Sequence, residues 1–152
     1  MSVVYCLLTS ALIVLSVLDF RTMEIADGIN LFILLLGIAA TLLDLHAWKD
    51  HVIGMFSVSV FLLVIYLVTV GRGIGGGDIK LMFGAGLLLG WKGAVLAFFL
   101  GCIIGSVVHL IRMAVSHAEH RLAMGPYLSV GIWLTALWGT PVIDWYIGMI
   151  IH

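Results

Sequence analysis

The chain has 152 residues, of which 63% are hydrophobic and only 10% charged. A soluble domain is about half apolar and about a quarter charged, so the composition excludes an ordinary water-soluble globule and points to an all-α, polytopic membrane helix bundle. The formal charge of −1 argues against a nucleic-acid partner, which would require a basic face, and the length suits one domain, expected over residues 1–152.

A helical span needs about 20 mostly apolar residues. Residues 3–18 form a short first run that ends in Asp19-Phe20-Arg21. No basic segment leads it and no small-residue cleavage site precedes Asp19, so it reads as a retained span rather than a signal peptide. The polar stretch 21–28 follows, with Arg21, Glu24 and Asp27; the two acids are expected to face water and cap the second helix. Residues 29–45 make the second span, 46–51 a polar turn, and 52–70 a third span without any charge.

Next comes Arg72-Gly73-Ile74-Gly75-Gly76-Gly77-Asp78-Ile79-Lys80. The chain then turns apolar until Gly90-Trp91-Lys92-Gly93 interrupts it, which makes 79–89 a short fourth helix. Residues 94–111 are the fifth span. The segment 112–125 is the longest polar connection, and 127–150 is the sixth span, expected to break near Gly139-Thr140-Pro141. The expectation is therefore about six transmembrane helices with the fourth one short. Trp133, Trp138, Trp145 and Tyr146 either mark interfacial belts or pack within the span. Gly86 with Gly90, and Gly101 with Gly105, have the spacing for close helix approach inside the bundle. Cys6 and Cys102 lack CxxC spacing, which argues against a zinc site or disulfide framework; they are expected to be buried small hydrophobes.

Lys and Arg placement orients the bundle. The first, third and fifth connections carry Arg21, Arg72, Lys80, Arg112 and Arg121, whereas the second and fourth carry only Lys49 and Lys92. Positive residues favour the cytoplasm, so the odd connections are expected inside and both termini outside. Asp19, the glycine segment and the fifth connection then share the cytoplasmic side. Asp44, Asp50 and Asp144 fall on the other.

A carboxylate at the mouth of a membrane helix is costly and by default a functional hypothesis. Asp78 and Asp19 each stand at such a boundary. Spacing alone leaves two readings open. They are solvated interfacial acids, or they are a pair that shares a proton, one activating water while its protonated partner polarises a carbonyl. Lys80 either tunes that pair, helps position an acidic residue of a substrate, or is a positive-inside anchor, and Arg21 has the same anchor reading. His117, Glu119 and His120 do not fit HExxH and read as a solvated loop. His109 lies within the fifth span, where it can bond to a neighbour.

The ordered motifs add to this. Gly75-Gly76-Gly77-Asp78 satisfies the GxGD pattern, and the string through Ile79-Lys80-Leu81 resembles the type IV prepilin peptidase family of intramembrane aspartic peptidases. The likeness continues through Gly84-Ala85-Gly86 and Leu89-Gly90-Trp91-Lys92-Gly93. Upstream, Asp19-Phe20-Arg21-Thr22-Met23-Glu24-Ile25 is similar to that family's first aspartate motif. Downstream, Gly125-Pro126-Tyr127-Leu128 is similar to its late Gly-Pro element. Ala26 and Ala123-Met124 stand where the family commonly has proline-containing turns. Paired CxxC motifs ahead of the first span, linked in many members to zinc and to N-methylation of the product, are lacking here, so the chain resembles the minimal peptidase core and methylation is not assumed.

The resemblance implies an aspartic endopeptidase of the cell membrane, with Asp19 and Asp78 catalytic at the cytoplasmic edge. Gly75, Gly76, Gly77, Lys80, Arg21, Glu24, Gly125 and Pro126 would shape the site or bind substrate. It implies a prepilin-like or pseudopilin substrate with a basic leader, docked from the lipid bilayer, and no metal or organic cofactor. Two other classes fit the composition: a small proton- or cation-coupled transporter using Asp78 and His109, and a non-catalytic pilus or secretion assembly subunit. Neither accounts for the ordered motifs.

Overall fold

The computed structural model describes residues 2–116 and 123–151. Five helices run in order: α1 (Ser2–Thr22), α2 (Asp27–Leu43), α3 (Trp48–Val68), α4 (Gly76–Val115) and α5 (Gly125–Ile151), with a single 3-10 turn, Leu45–Ala47, before α3. Ser2–Thr22, Leu45–Val68, Gly76–Val115 and Gly125–Ile151 are each long and apolar enough to cross a membrane, while α2 is apolar but has only 17 residues. The chain is an all-α, multi-pass membrane bundle. Its outward faces carry large apolar side chains such as Ile13, Leu35, Phe61 and Leu110, all exposed. In a bilayer they meet lipid rather than water.

One core joins all five helices. α1 contributes Leu8, Leu12 and Leu15, α2 Ile33 and Leu36, α3 Val58 and Leu62, α4 Leu81, Met82 and Ala85, and α5 Leu128 and Ile132. The intervals of three and four residues are those that place side chains on one helical face.

The expected short fourth helix and the fifth span are two arms of α4, joined directly at Gly90. There φ is 75° and ψ 173°, a backbone region essentially reserved for glycine. The first arm packs on α2 and α3. A Cβ on Gly84 would lie 3.0 Å from the Leu34 nitrogen, and one on Gly86 would collide with the Gly54 carbonyl. The second arm packs on α5, with Gly93 beside Thr135, Gly101 beside Leu128 and Gly105 beside Tyr127. That antiparallel order means Gly90 reverses the chain. The small residues at four-residue spacing thus serve close approach inside the bundle.

Three expectations change. α5 runs unbroken through Pro141; membrane helices tolerate an internal proline because neighbours and small local adjustments satisfy the freed carbonyl. Cys6 is exposed and Cys102 half-buried, since a thiol behaves as a small hydrophobe and lipid accepts it as readily as a core does. Glu24 and Asp27 do not cap α2. Its N-cap is Ala26, with no side-chain cap bond, and Asp27 is the first helical residue. Of the aromatic residues on α5, Trp138, Trp145 and Tyr146 face outward, while Trp133 packs against the core and meets Trp138 edge to face at 6.2 Å.

Candidate active site

On α1 the buried stripe Leu8, Leu12, Leu15 continues one turn further to Asp19. On α4 the stripe Leu81, Met82, Ala85 begins at Asp78. Helical periodicity therefore carries both carboxylates onto the interior face. Asp19 is 4% exposed and Asp78 8%, so neither is the solvated cap that spacing alone allowed. The two residues, 59 positions apart in sequence (78 minus 19), lie on the wall of one cavity of about 900 Å3.

Three connections close around that cavity. The α1–α2 connection supplies Glu24 and Ile25, the α3–α4 connection supplies Arg72 and the glycines, and the approach to α5 supplies Met124. All are ends of helices at one end of the bundle, as the alternation of spans requires.

The glycines ahead of Asp78 divide by role. A Cβ on Gly77 would sit 2.9 Å from the Ile25 Cβ, so the α1–α2 connection packs directly on Gly77. Gly76 has nothing within 4 Å of its Cβ position, and Gly75 meets only Asp78 Oδ2, at 3.5 Å. Gly75 and Gly76 leave the cavity wall open there. Gly75 is also the N-cap of α4, and its carbonyl accepts the Asp78 N–H at 3.2 Å.

Asp19 is held from the other side of the sequence. The Gly125 N–H, among the orphan donors at the start of α5, donates to Asp19 Oδ2 at 2.9 Å. A Cβ on Gly125 would collide with that oxygen. Pro126, next in line, is buried and lacks an N–H that the first turn would not use.

Some expected site residues lie elsewhere. Lys80 Nζ pairs with Asp27 Oδ1 at 2.7 Å, with both side chains exposed, and Lys80 is not on the cavity wall. Its position follows from the helix, since two residues past Asp78 is the opposite face. Arg21 is exposed and Pro126 buried, and both lie off the wall. His109 makes no hydrogen bond with a described residue. His117, Glu119, His120 and Arg121 lie outside the described residues. Among the described residues, no three His, Cys, Asp or Glu side chains are grouped to hold a metal ion.

Other contributors were not singled out by sequence. Arg72 is the cation on the wall among four acids, Asp19, Glu24, Asp27 and Asp78. It had served only as an orientation marker, yet it stands beside the glycine run. Asn30 is 5% exposed, and its Nδ2 lies 3.4 Å from the Gly77 carbonyl. The available signal was one polar residue on the apolar stripe that continues through Ile33, Leu36 and Ala40.

Residues 6–110 match the type IV leader peptidase family. Over 152 aligned residues the chain is 31% identical to a prepilin leader peptidase/N-methyltransferase of Aeromonas salmonicida (strain A449), covering 95% of this chain and 52% of that protein. A prepilin leader peptidase/N-methyltransferase of Bacillus subtilis (strain 168) is 35% identical, covering 92% of this chain and 57% of the relative. One from Pseudomonas aeruginosa is 30% identical, with 93% and 51% covered. The chain spans about half the length of these curated relatives. No solved structure matches it. The match extends over the first aspartate motif, the glycine segment and the reversal at Gly90, and the chain belongs to the type IV leader peptidase family.

Proposed function

We propose that this protein is a membrane-embedded aspartic endopeptidase that removes the basic leader of type IV prepilin-like substrates. The observation that carries the reading is the pair of buried carboxylates, Asp19 and Asp78, on one cavity wall in a chain of this family. In this mechanism one carboxylate takes a proton from water as its oxygen attacks the scissile carbonyl carbon. The protonated partner gives its proton to the carbonyl oxygen. The tetrahedral intermediate then collapses, the C–N bond breaks, and a proton passes to the leaving nitrogen. The residues of the dyad act as a unit, and their titration belongs to the pair.

The surroundings suit such a substrate. Open space at Gly75 and Gly76 admits an extended backbone beside Asp78. Glu24 on the rim favours a basic leader, while the hydrophobic helix that follows the cut stays in lipid. We place the cavity on the cytoplasmic side of the cell membrane, from the distribution of Lys and Arg, and treat residues 1–152 as one peptidase domain. Arg21 anchors that side, and Lys80 ties α4 to α2 through Asp27.

The test is co-expression with a tagged prepilin-like substrate, following leader removal by gel mobility. Asp19→Asn and Asp78→Asn should each lower cleavage by ~100-fold to ~10,000-fold, the range typical of a lost acid–base group, with membrane insertion intact. Wild-type cleavage by either variant sinks the dyad assignment. Ion transport by liposome-reconstituted protein that cleaves no substrate would favour a transporter instead.

A further inference from the structure

Asn30 stands on the buried stripe of α2, with Ile33, Leu36, Gly37 and Ala40. It is 5% exposed and lies off the cavity wall. A carbonyl only accepts, so the amide nitrogen is the end that faces the Gly77 oxygen, at 3.4 Å. The other end, Oδ1, is then buried with no hydrogen-bond partner among the described residues. A buried unsatisfied acceptor costs stability, and a bond of 3.4 Å offsets little of that. An apolar side chain would suit this stripe better. Stability therefore does not account for the amide, and its one contact leads to the site.

That contact is the outermost of a continuous interface. Asn30 meets Gly77, and Gly37 meets Gly84, whose carbonyl would lie 2.9 Å from a Cβ on Gly37. Both pairs are 47 positions apart (77 minus 30, 84 minus 37). Thr41 Oγ1 reaches the Leu87 carbonyl at 3.5 Å, 46 positions on. A near-constant offset means that α2 and the first arm of α4 run parallel and in register over about three turns. α2 is thus a rail along the arm that carries Asp78.

At the site end the rail meets the freest part of that arm. Gly75, Gly76 and Gly77 lack the Cβ that restricts other backbones. The Gly77 carbonyl lies in the same rigid peptide plane as the Asp78 nitrogen and Cα. Holding that oxygen restricts the plane from which the Asp78 side chain departs. Ile25 adds a second hold, packing where a Cβ on Gly77 would be. We propose that Asn30 is a positioning residue: through the Gly77 carbonyl it fixes the peptide that orients Asp78 in the cavity. This rests on the reading of Asp78 as a catalytic carboxylate.

The experiment uses the full chain in detergent with a tagged prepilin-like substrate. Asn30→Leu should melt at or above the wild-type temperature, because it removes a buried orphan acceptor. Its kcat should fall by ~10-fold to ~100-fold with KM little changed, as a misplaced catalytic group requires. Amide exchange over residues 76–81, read by mass spectrometry, should quicken about 5-fold, the equivalent of one net hydrogen bond. Asn30→Ala, which adds no volume, is read in the same way should leucine overpack. Thr41→Val removes the contact at the far end of the rail and should leave kcat and that exchange at wild-type values. Wild-type kcat in Asn30→Leu overturns the proposal. So does a loss of kcat that Thr41→Val shares, since that assigns both residues to packing alone. If the wild-type chain cleaves no substrate, the peptidase reading fails and exchange alone decides. Quickened exchange then upholds the grip on the Asp78 peptide, and unchanged exchange overturns it.

Discussion

The backbone N–H of Gly125 donates to Oδ2 of Asp19 at 2.9 Å, across 106 positions of sequence. One carboxylate of the proposed dyad is thus fixed by the first residue of the last helix. The bond fixes the position of one oxygen of that carboxyl group.

Gly125→Ala should therefore impair cleavage without touching a carboxylate. The added methyl would collide with Asp19 Oδ2, and displacing a catalytic group by about 1 Å can cost ~100-fold in rate. We expect a drop in kcat of ~10-fold to ~100-fold with KM little changed, measured by single-turnover cleavage in detergent. A variant with normal kcat would separate Gly125 from the positioning of Asp19.

How far the site could be read from sequence follows from such residues. Asp19 and Asp78 drew attention as carboxylates at helix boundaries, but spacing left them open as solvated acids, and only the ordered motifs favoured pairing them; their burial depends on which helical face packs inward. Gly125 was legible as part of a motif, but its role was not, because a backbone donor leaves no side-chain signature. Lys80 looked like a site residue through proximity in sequence, yet the 100° step of a helix turns it toward Asp27. The break at Gly90 was visible in composition, whereas the reversal depends on the φ of one residue and on what α3 presents to it.

The glycines before Asp78 should respond differently to one methyl group. Gly77→Ala presses on the Ile25 Cβ, and Gly76→Ala meets nothing in the protein. We expect Gly77→Ala to lower thermal stability by about 1–3 kcal/mol, the usual cost of overpacking. Gly76→Ala should keep wild-type stability and raise KM instead, because only a bound substrate backbone would meet its methyl. Thermal unfolding beside steady-state kinetics distinguishes the two.

The Lys80–Asp27 pair is solvent-exposed, and exposed ion pairs are worth about 0.2–1 kcal/mol. Lys80→Met should lower stability by no more than that and leave cleavage within a factor of ~3, since the side chain is off the cavity wall. A large loss of kcat would return Lys80 to the site.

At Gly90, alanine would have to hold φ of 75° and ψ of 173°, at a cost of about 1–3 kcal/mol. Gly28→Ala is the contrast, a helical position with open space around its Cβ, where reduced backbone freedom should stabilise by about 0.4–1 kcal/mol. Parallel melts of the two variants in one detergent check both signs.

Glu24 sits exposed on the rim of the site. Glu24→Gln should raise KM for a substrate with a basic leader at low salt and have little effect in ~1 M salt, where the Debye length is about 3 Å. An effect that does not vary with ionic strength would assign Glu24 a contact role rather than an electrostatic one.

The reversal at Gly90 also sets a dimension. The first arm of α4, residues 76–89, separates the opening at Asp78 from a second one beside the reversal, and at 1.5 Å per residue it is about 20 Å long. The hydrocarbon layer of a bilayer is about 30 Å thick. Water therefore enters this protein to within a distance shorter than the membrane is deep, and the lipid around α4 must thin, or the openings lie as wells beneath its surface. The proposed hydrolysis would then occur below the headgroups, where a substrate helix anchored in lipid could present its first turn without being drawn out of the membrane.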